Sequence, residues 1–152
     1  MLVLWCVAAH LLPKLDQMDR WCVDQSNNLI PSMSADTLEE RVDTFASNIL
    51  GVERASLRSE VAGLAKNLTG TPSRDTCKGN HFFEPAARMC GNDWPCTGMT
   101  MVGIVRLMNV LALLKSVVDD GVEGAFAELG VWRGGTCIFA RKFFDLLSEV
   151  QR

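Results

Sequence analysis

Basic charge is in short supply in this sequence. Of 152 residues, 15 are Lys or Arg and 18 are Asp or Glu, for a net charge of −3. The deficit is even along the chain, with 8 basic against 10 acidic residues over 1–80 and 7 against 8 beyond. A cationic face that could meet a nucleic-acid backbone or anionic lipid is not expected, which excludes both as partners. A run of about 20 apolar residues, the length that spans a bilayer, is also missing. The nearest approach is MLVLWCVAAHLL at residues 1–12, closed by Pro13. It is too short to cross a membrane and lacks the basic flank of a secretory signal. A buried or docking helix is the expectation there, with a signal peptide as the alternative.

Paired-cysteine motifs are absent as well. Cys6, Cys22, Cys77, Cys90, Cys96 and Cys137 include no C-x-x-C, and the expectation is a set of free thiols in a reducing, cytoplasmic compartment. Cys77, His81, Cys90 and Cys96 could be arranged around zinc, but their spacings match no common finger or ribbon. No metal site is assigned. Histidine is scarce too: His81 is the only one outside the N-terminal run, and beside Phe82 and Phe83 it reads as packed or surface-bound rather than catalytic.

What is present is globular composition, 48% apolar and 22% charged, enough for one ordinary domain. Residues 29–70 are helical in character, with a start at Ser34 or Asp36, the latter in capping-box range of Glu39. Gly51 is expected to divide this stretch into two helices. Leu38, Val42, Phe45 and Ile49, then Leu57, Val61, Leu64 and Leu68, recur at three- and four-residue intervals and form a core stripe on each. Gly70 to Cys96 reads as loop, interrupted by Pro72, Gly79, Pro85, Gly91 and Pro95. The longest helix is expected from Met101 to about Asp120, N-capped by Thr100 and closed by Gly121 in the left-handed conformation. Its core stripe is Ile104, Leu107, Met108, Leu111, Leu114 and Val118.

The stretch that carries chemistry is AFAELGVWRGGTCIF, Ala125 to Phe139. A short apolar run meets a glycine-rich turn and then an apolar segment of helical period, which reads as a strand over 125–131, a tight turn and a helix from Thr136 to about Val150. Dinucleotide sites space their glycines G-x-G-x-x-G so that amides can meet a pyrophosphate. Here the spacing is G-x-x-x-G-G, and Glu128 stands two residues before Gly130. A carboxylate at that point repels a pyrophosphate and attracts a cation, such as the ammonium of a methionyl group beside a sulfonium. The structural alternative is a plain strand-to-helix connection.

Three segments in order, R-M-C-G-N-D-W-P from Arg88, T-M-V-G-I-V-R-L-M-N-V from Thr100 and E-L-G-V-W-R-G-G-T-C-I-F from Glu128, resemble the macrocin-type sugar O-methyltransferases of macrolide and aminocoumarin antibiotic pathways. The resemblance implies an α/β, Rossmann-like methyltransferase fold, with residues 83–152 as its beginning and residues 1–82 as a helical region of unassigned role. It implies S-adenosylmethionine as methyl donor, Mg2+ in the full-length family and a sugar hydroxyl on a small molecule as acceptor. Carried over by position, the donor site comprises Thr100, Met101, Glu128, Leu129, Gly130, Val131, Trp132, Gly134 and Gly135. Cys137, on the helix beyond the turn, is expected to matter for stability rather than for affinity. A family member continues with an acidic strand end for the ribose, a metal site and acceptor groups. The chain is therefore expected to be an N-terminal portion, mostly helical, inactive alone and prone to self-association. The alternative is a noncatalytic helical interaction module that retains the cofactor motif as a relic.

Overall fold

A computed structural model describes residues 35–51, 54–70, 84–92 and 95–150. Five helices lie in this part: α1 Ala35–Leu50, α2 Ala55–Thr69, α3 Pro85–Cys90, α4 Ile104–Asp119 and α5 Gly135–Val150. The apolar run at 1–12, Ser34, Cys77, His81, Asp93 and Trp94 lie outside the described residues.

The periodic stripes read from the sequence are where the core forms. Leu38, Val42, Ala46 and Leu50 of α1 are buried, with Phe45 and Ile49 packed at the margin. Leu57, Val61, Ala65 and Leu68 do the same on α2. Gly51, at φ 86°, ends α1, and its amide donates to the Ser47 carbonyl at 3.0 Å. α1 packs on α2 and α4, and α5 packs on α2 and α4. Helices from both halves of the described chain thus share one hydrophobic cluster, and Ile104, Leu107, Met108 and Leu111 of α4 are fully buried within it.

Proline placement was read too simply as loop. Pro85 opens α3, at the first helical position, where its missing N–H would have had no helical partner. Glu84 caps that helix, its carboxylate accepting from the amides of Ala86 and Ala87. The start of the long helix also differs: α4 begins at Ile104, after an extended Gly103 with no side-chain cap. Thr100 therefore is not its N-cap. Its hydroxyl accepts instead from the Val102 amide at 3.0 Å, two residues on, in a local turn that competes with helix initiation. At the other end the expectation holds. The Gly121 amide donates to Val118 O and the Val122 amide to Val117 O, the paired bonds of a Schellman ending, with Gly121 at φ 62°.

The strand expected over 125–131 is not formed; among the described residues there is no strand. A strand is defined by a hydrogen-bonded ladder, and here no neighbouring extended segment among the described residues lies alongside to complete one. The segment keeps the period-two pattern that a strand would use. Phe126 and Glu128 are half-buried, while Ala125, Ala127 and Leu129 are exposed. The described part is accordingly helical rather than a sandwich of helices on a sheet.

α5 shows the same one-sidedness. Phe139, Ala140, Phe143, Leu146 and Leu147 are buried against the helical core, whereas Ile138 is 42% exposed. Replacing Phe139 by Ala removes a fully buried ring and should cost about 3–5 kcal/mol. Replacing its neighbour Ile138 by Ala should stay within about 0.5 kcal/mol, as surface changes do. Urea unfolding of the two variants checks the orientation of α5, and equal losses would reverse it.

Candidate functional site

The glycine-rich turn runs from the half-buried end of the extended segment to the first residue of α5. Gly130 and Gly134 have φ of 83° and 80°, a left-handed backbone that strains any residue with a Cβ. Both belong to the donor site carried over by position, and a Cβ at either one would meet nothing within 4 Å. Among the described residues nothing thus crowds the Cβ side of either glycine, and backbone conformation is what these two positions demand of the residue.

Gly135 behaves differently. It too was carried over into the donor site, but what approaches it is the chain itself: a Cβ there would lie 2.6 Å from the Met99 carbonyl oxygen and 2.7 Å from the Thr100 Cβ. The Gly135 amide donates to that same Met99 oxygen at 3.1 Å. The structure therefore brings the Thr100–Met101 segment and the turn together through a backbone crossing at Met99. The other side of the segment is tied to the end of α2, where the Leu68 carbonyl accepts from the amides of Met99 at 2.7 Å and Thr100 at 3.2 Å. Thr100 is 4% exposed and Met101 half-buried.

Glu128 sits half-buried before the turn, and its Oε2 accepts a hydrogen bond from the Cys137 thiol at 3.0 Å. Cys137 lies in the first turn of α5, so it is a direct partner of the carboxylate, not the independent position the sequence suggested. The pairing pushes the thiol's pKa up, first because the carboxylate holds the thiol proton, then through burial and the charge of Glu128. Trp132 is half-buried, with the Arg133 guanidinium over its ring at 4.0 Å. Leu129 and Val131 point outward, at 98% and 51% exposure. Met99 and Val122 add to this apolar exterior.

Two participants were missed in the sequence. Cys137 follows Glu128 by nine residues, and only the turn's path brings them into contact. Arg133 lies inside the motif but between two glycines' worth of assigned positions, and its role shows only in its two acceptors, the carbonyls of Cys96 and Gly98, each at 2.9 Å. The free-thiol expectation also fails in part. Cys90 and Cys96 are each engaged in a disulfide bond, so neither presents a thiolate to a metal, while Cys137 is free. Among the described residues no group of three or more His, Cys, Asp or Glu could hold a metal ion, and no helix is long and apolar enough to cross a membrane. Behind the turn, an apolar cavity of about 240 Å³ opens between Leu114, Val117 and Val118 of α4, Phe126, and Phe144 of α5. Its lining stops short of Glu128.

The family model described as Macrocin-O-methyltransferase (TylF) matches residues 42–152, from within α1 to the last residue. Curated relatives include the mycinamicin III 3''-O-methyltransferase of Micromonospora griseorubida, 49% identical over 59 residues, which are 39% of this chain and 23% of the relative. The 8-demethyl-8-(2,3-dimethoxy-alpha-L-rhamnosyl)-tetracenomycin-C 4'-O-methyltransferase of Streptomyces olivaceus is 50% identical over 71 residues, 45% of this chain and 27% of the relative. The demethyldecarbamoylnovobiocin O-methyltransferase of Streptomyces niveus is 37% identical over 84 residues, 51% of this chain and 32% of the relative. The chain thus spans less than a third of the length of each of these relatives. No solved structure matches it. With the glycine turn, the Thr100 segment and the family match running through the same residues, the chain belongs to the macrocin O-methyltransferase family.

Proposed function

We propose that these residues form the donor-binding part of an S-adenosylmethionine-dependent sugar O-methyltransferase. The observation that carries the reading is the placement of the Glu128 carboxylate at the rim of an open glycine turn whose far end is crossed by the Met99–Thr100 backbone. A half-buried carboxylate offers an anionic partner for the donor's ammonium, and a charge-assisted contact of that kind is stronger than a neutral one. Gly130 and Gly134, with clear space where a Cβ would project, leave the turn's backbone accessible. Leu129, Val131 and Trp132 furnish apolar and aromatic surface beside it, and Thr100 and Met101 close the methionyl end. When bound, the donor supplies an electrophilic methyl group for a hydroxyl oxygen. The relatives named above carry O-methyltransferase names, which supports a sugar hydroxyl on a small molecule as acceptor.

The magnesium ion implied by the family does not fit the described residues, which gather no set of acidic or other ligating side chains. No step is derived through it. The acceptor and metal groups belong, in this reading, to other parts of the protein, so the described residues bind the donor without turning it over. A second reading, a noncatalytic module that keeps the turn as a relic and binds a partner or its own copy, is favoured by one observation: the apolar exterior of Leu129, Val131, Val122 and Ile138.

Calorimetric titration with S-adenosylmethionine separates the two. Saturable binding that Glu128→Ala weakens supports the donor site, with an expected loss of about 1.5–3 kcal/mol, or roughly one to two decades in Kd. Absence of binding in the folded wild-type chain leaves the relic module. The thiol gives an independent readout of the same carboxylate. Because the pKa of Cys137 is raised by Glu128, less of it is thiolate at a given pH, and alkylation by iodoacetamide at mildly alkaline pH should be slower than for a model thiol. Glu128→Gln removes the charge and should speed it, as read by mass spectrometry of the peptide containing Cys137. An unchanged rate would show that the carboxylate does not hold the thiol proton in solution.

A further inference from the structure

We infer that Arg133 is a positioning residue that clamps the segment 96–100 onto the glycine turn and thereby sets the affinity of the donor site. The inference rests on the donor-site reading above for its consequence, and on geometry alone for the clamp.

Segment 95–100 leads to Met101 without helix or strand of its own. Its position must come from ties to other elements. At its end, the Leu68 carbonyl holds the Met99 and Thr100 amides, and the Gly135 amide holds the Met99 carbonyl. Both of these backbone ties fall at residues 99–100, and Cys96 is itself held by a disulfide bond. Arg133 acts earlier in the segment: one guanidinium nitrogen, Nη1, donates to the carbonyls of both Cys96 and Gly98 at 2.9 Å. The sequence separation is 37 and 35 residues, so these are tertiary contacts and not part of a local turn. The cationic plane lies over Trp132 at 4.0 Å, which limits the orientations the guanidinium can take.

The clamp has a plain route to the ligand. Gly134 follows Arg133 and Gly135 follows that, so the residue that grips segment 96–98 is built into the turn whose open face receives the donor. Thr100 and Met101, on the other side of that face, are placed by the gripped segment. If the segment samples arrangements away from the turn, the binding-competent fraction falls, and the apparent affinity falls by the same factor. A charged donor to two carbonyls is suited to the task because such bonds are stronger than neutral ones. Lysine, a point charge without the planar fork, could replace only part of it.

The test uses the 152-residue chain in four forms: wild type, Arg133→Ala, Arg133→Lys and, as a control, Arg106→Ala, which alters an exposed position on α4. Two quantities are measured, the Kd for S-adenosylmethionine by calorimetry and amide hydrogen exchange at Met99 and Gly135. Expected are a Kd raised about tenfold or more in Arg133→Ala, an intermediate value in Arg133→Lys, and no change in Arg106→Ala. The Met99 and Gly135 amides should exchange faster in Arg133→Ala, while the urea midpoint of unfolding stays with wild type. A purely structural role would lower that midpoint and would show no partial rescue by lysine. Wild-type affinity in Arg133→Ala, or unchanged exchange at both amides, overturns the proposal. Should the wild type fail to bind the donor, the donor-site reading falls and the effect on affinity falls with it, while faster exchange in Arg133→Ala still upholds the clamp.

Discussion

One contact sets where the glycine-rich turn of this molecule lies: the crossing of the Gly135 backbone on the Met99–Thr100 backbone. The Gly135 amide donates to the Met99 carbonyl, at a distance that a Cβ on residue 135 would make impossible without displacing main-chain atoms. Met99 and Thr100 are in turn bonded to the last turn of α2 through Leu68. Three elements distant in sequence, the end of α2, the lead-in to α4 and the start of α5, are thereby joined at one point. Backbone-to-backbone ties of this type have few ways to rearrange, because neither partner has rotamers to give up. The glycine turn inherits its position from them.

The hydrophobic core explains why that crossing can hold. α5 contributes Phe139 and Phe143 to the cluster formed with α2 and α4, and burial of aromatic side chains is among the larger single contributions to a helical core. The opposite side of the same region remains apolar and open. Leu129 is almost wholly exposed, Val131 and Ile138 partly so, and the extended segment 125–129 alternates inward and outward residues in the way that a sheet strand would. Its inward residues, Phe126 and Glu128, have found helical neighbours. Its outward residues have not.

Charge in the site is local and economical. Glu128 and Cys137 form a pair in which the carboxylate keeps the thiol protonated, so the carboxylate is already oriented before any ligand arrives. Arg133, the nearest cation in sequence, is turned away to the carbonyls of Cys96 and Gly98 instead of neutralising Glu128. That division of labour leaves the carboxylate with a weak donor as its partner, and a thiol yields readily to a stronger one such as an ammonium group.

Much of this was written in the sequence. Spacing of apolar residues located α1, α2, α4 and α5 and named most of the buried faces of the first three, because 3.6-residue periodicity is a local property and each stripe is legible without knowing its partner. Gly51 and Gly121 marked helix ends for the same local reason. The motif wording from Arg88 onward pointed to the macrocin O-methyltransferase family. Local rules failed where the competitor was not local. Thr100 resembled an N-cap until its hydroxyl was seen bonded to Val102, and Pro85 resembled a breaker although it opens α3. Residues 125–131 have the composition of a strand, but a ladder depends on a neighbour that no window of sequence contains. Gly135 was placed in the donor site by its position in the motif, while what approaches it is Met99, 36 positions earlier in the numbering. The pairing of Glu128 with Cys137 and the reach of Arg133 to residues 96 and 98 are of the same kind. The sequence determined which long segments would be helices and which turn would carry the carboxylate. Tertiary structure alone decided what each turn residue touches, since contacts between segments follow from packing in three dimensions and leave no period along the chain.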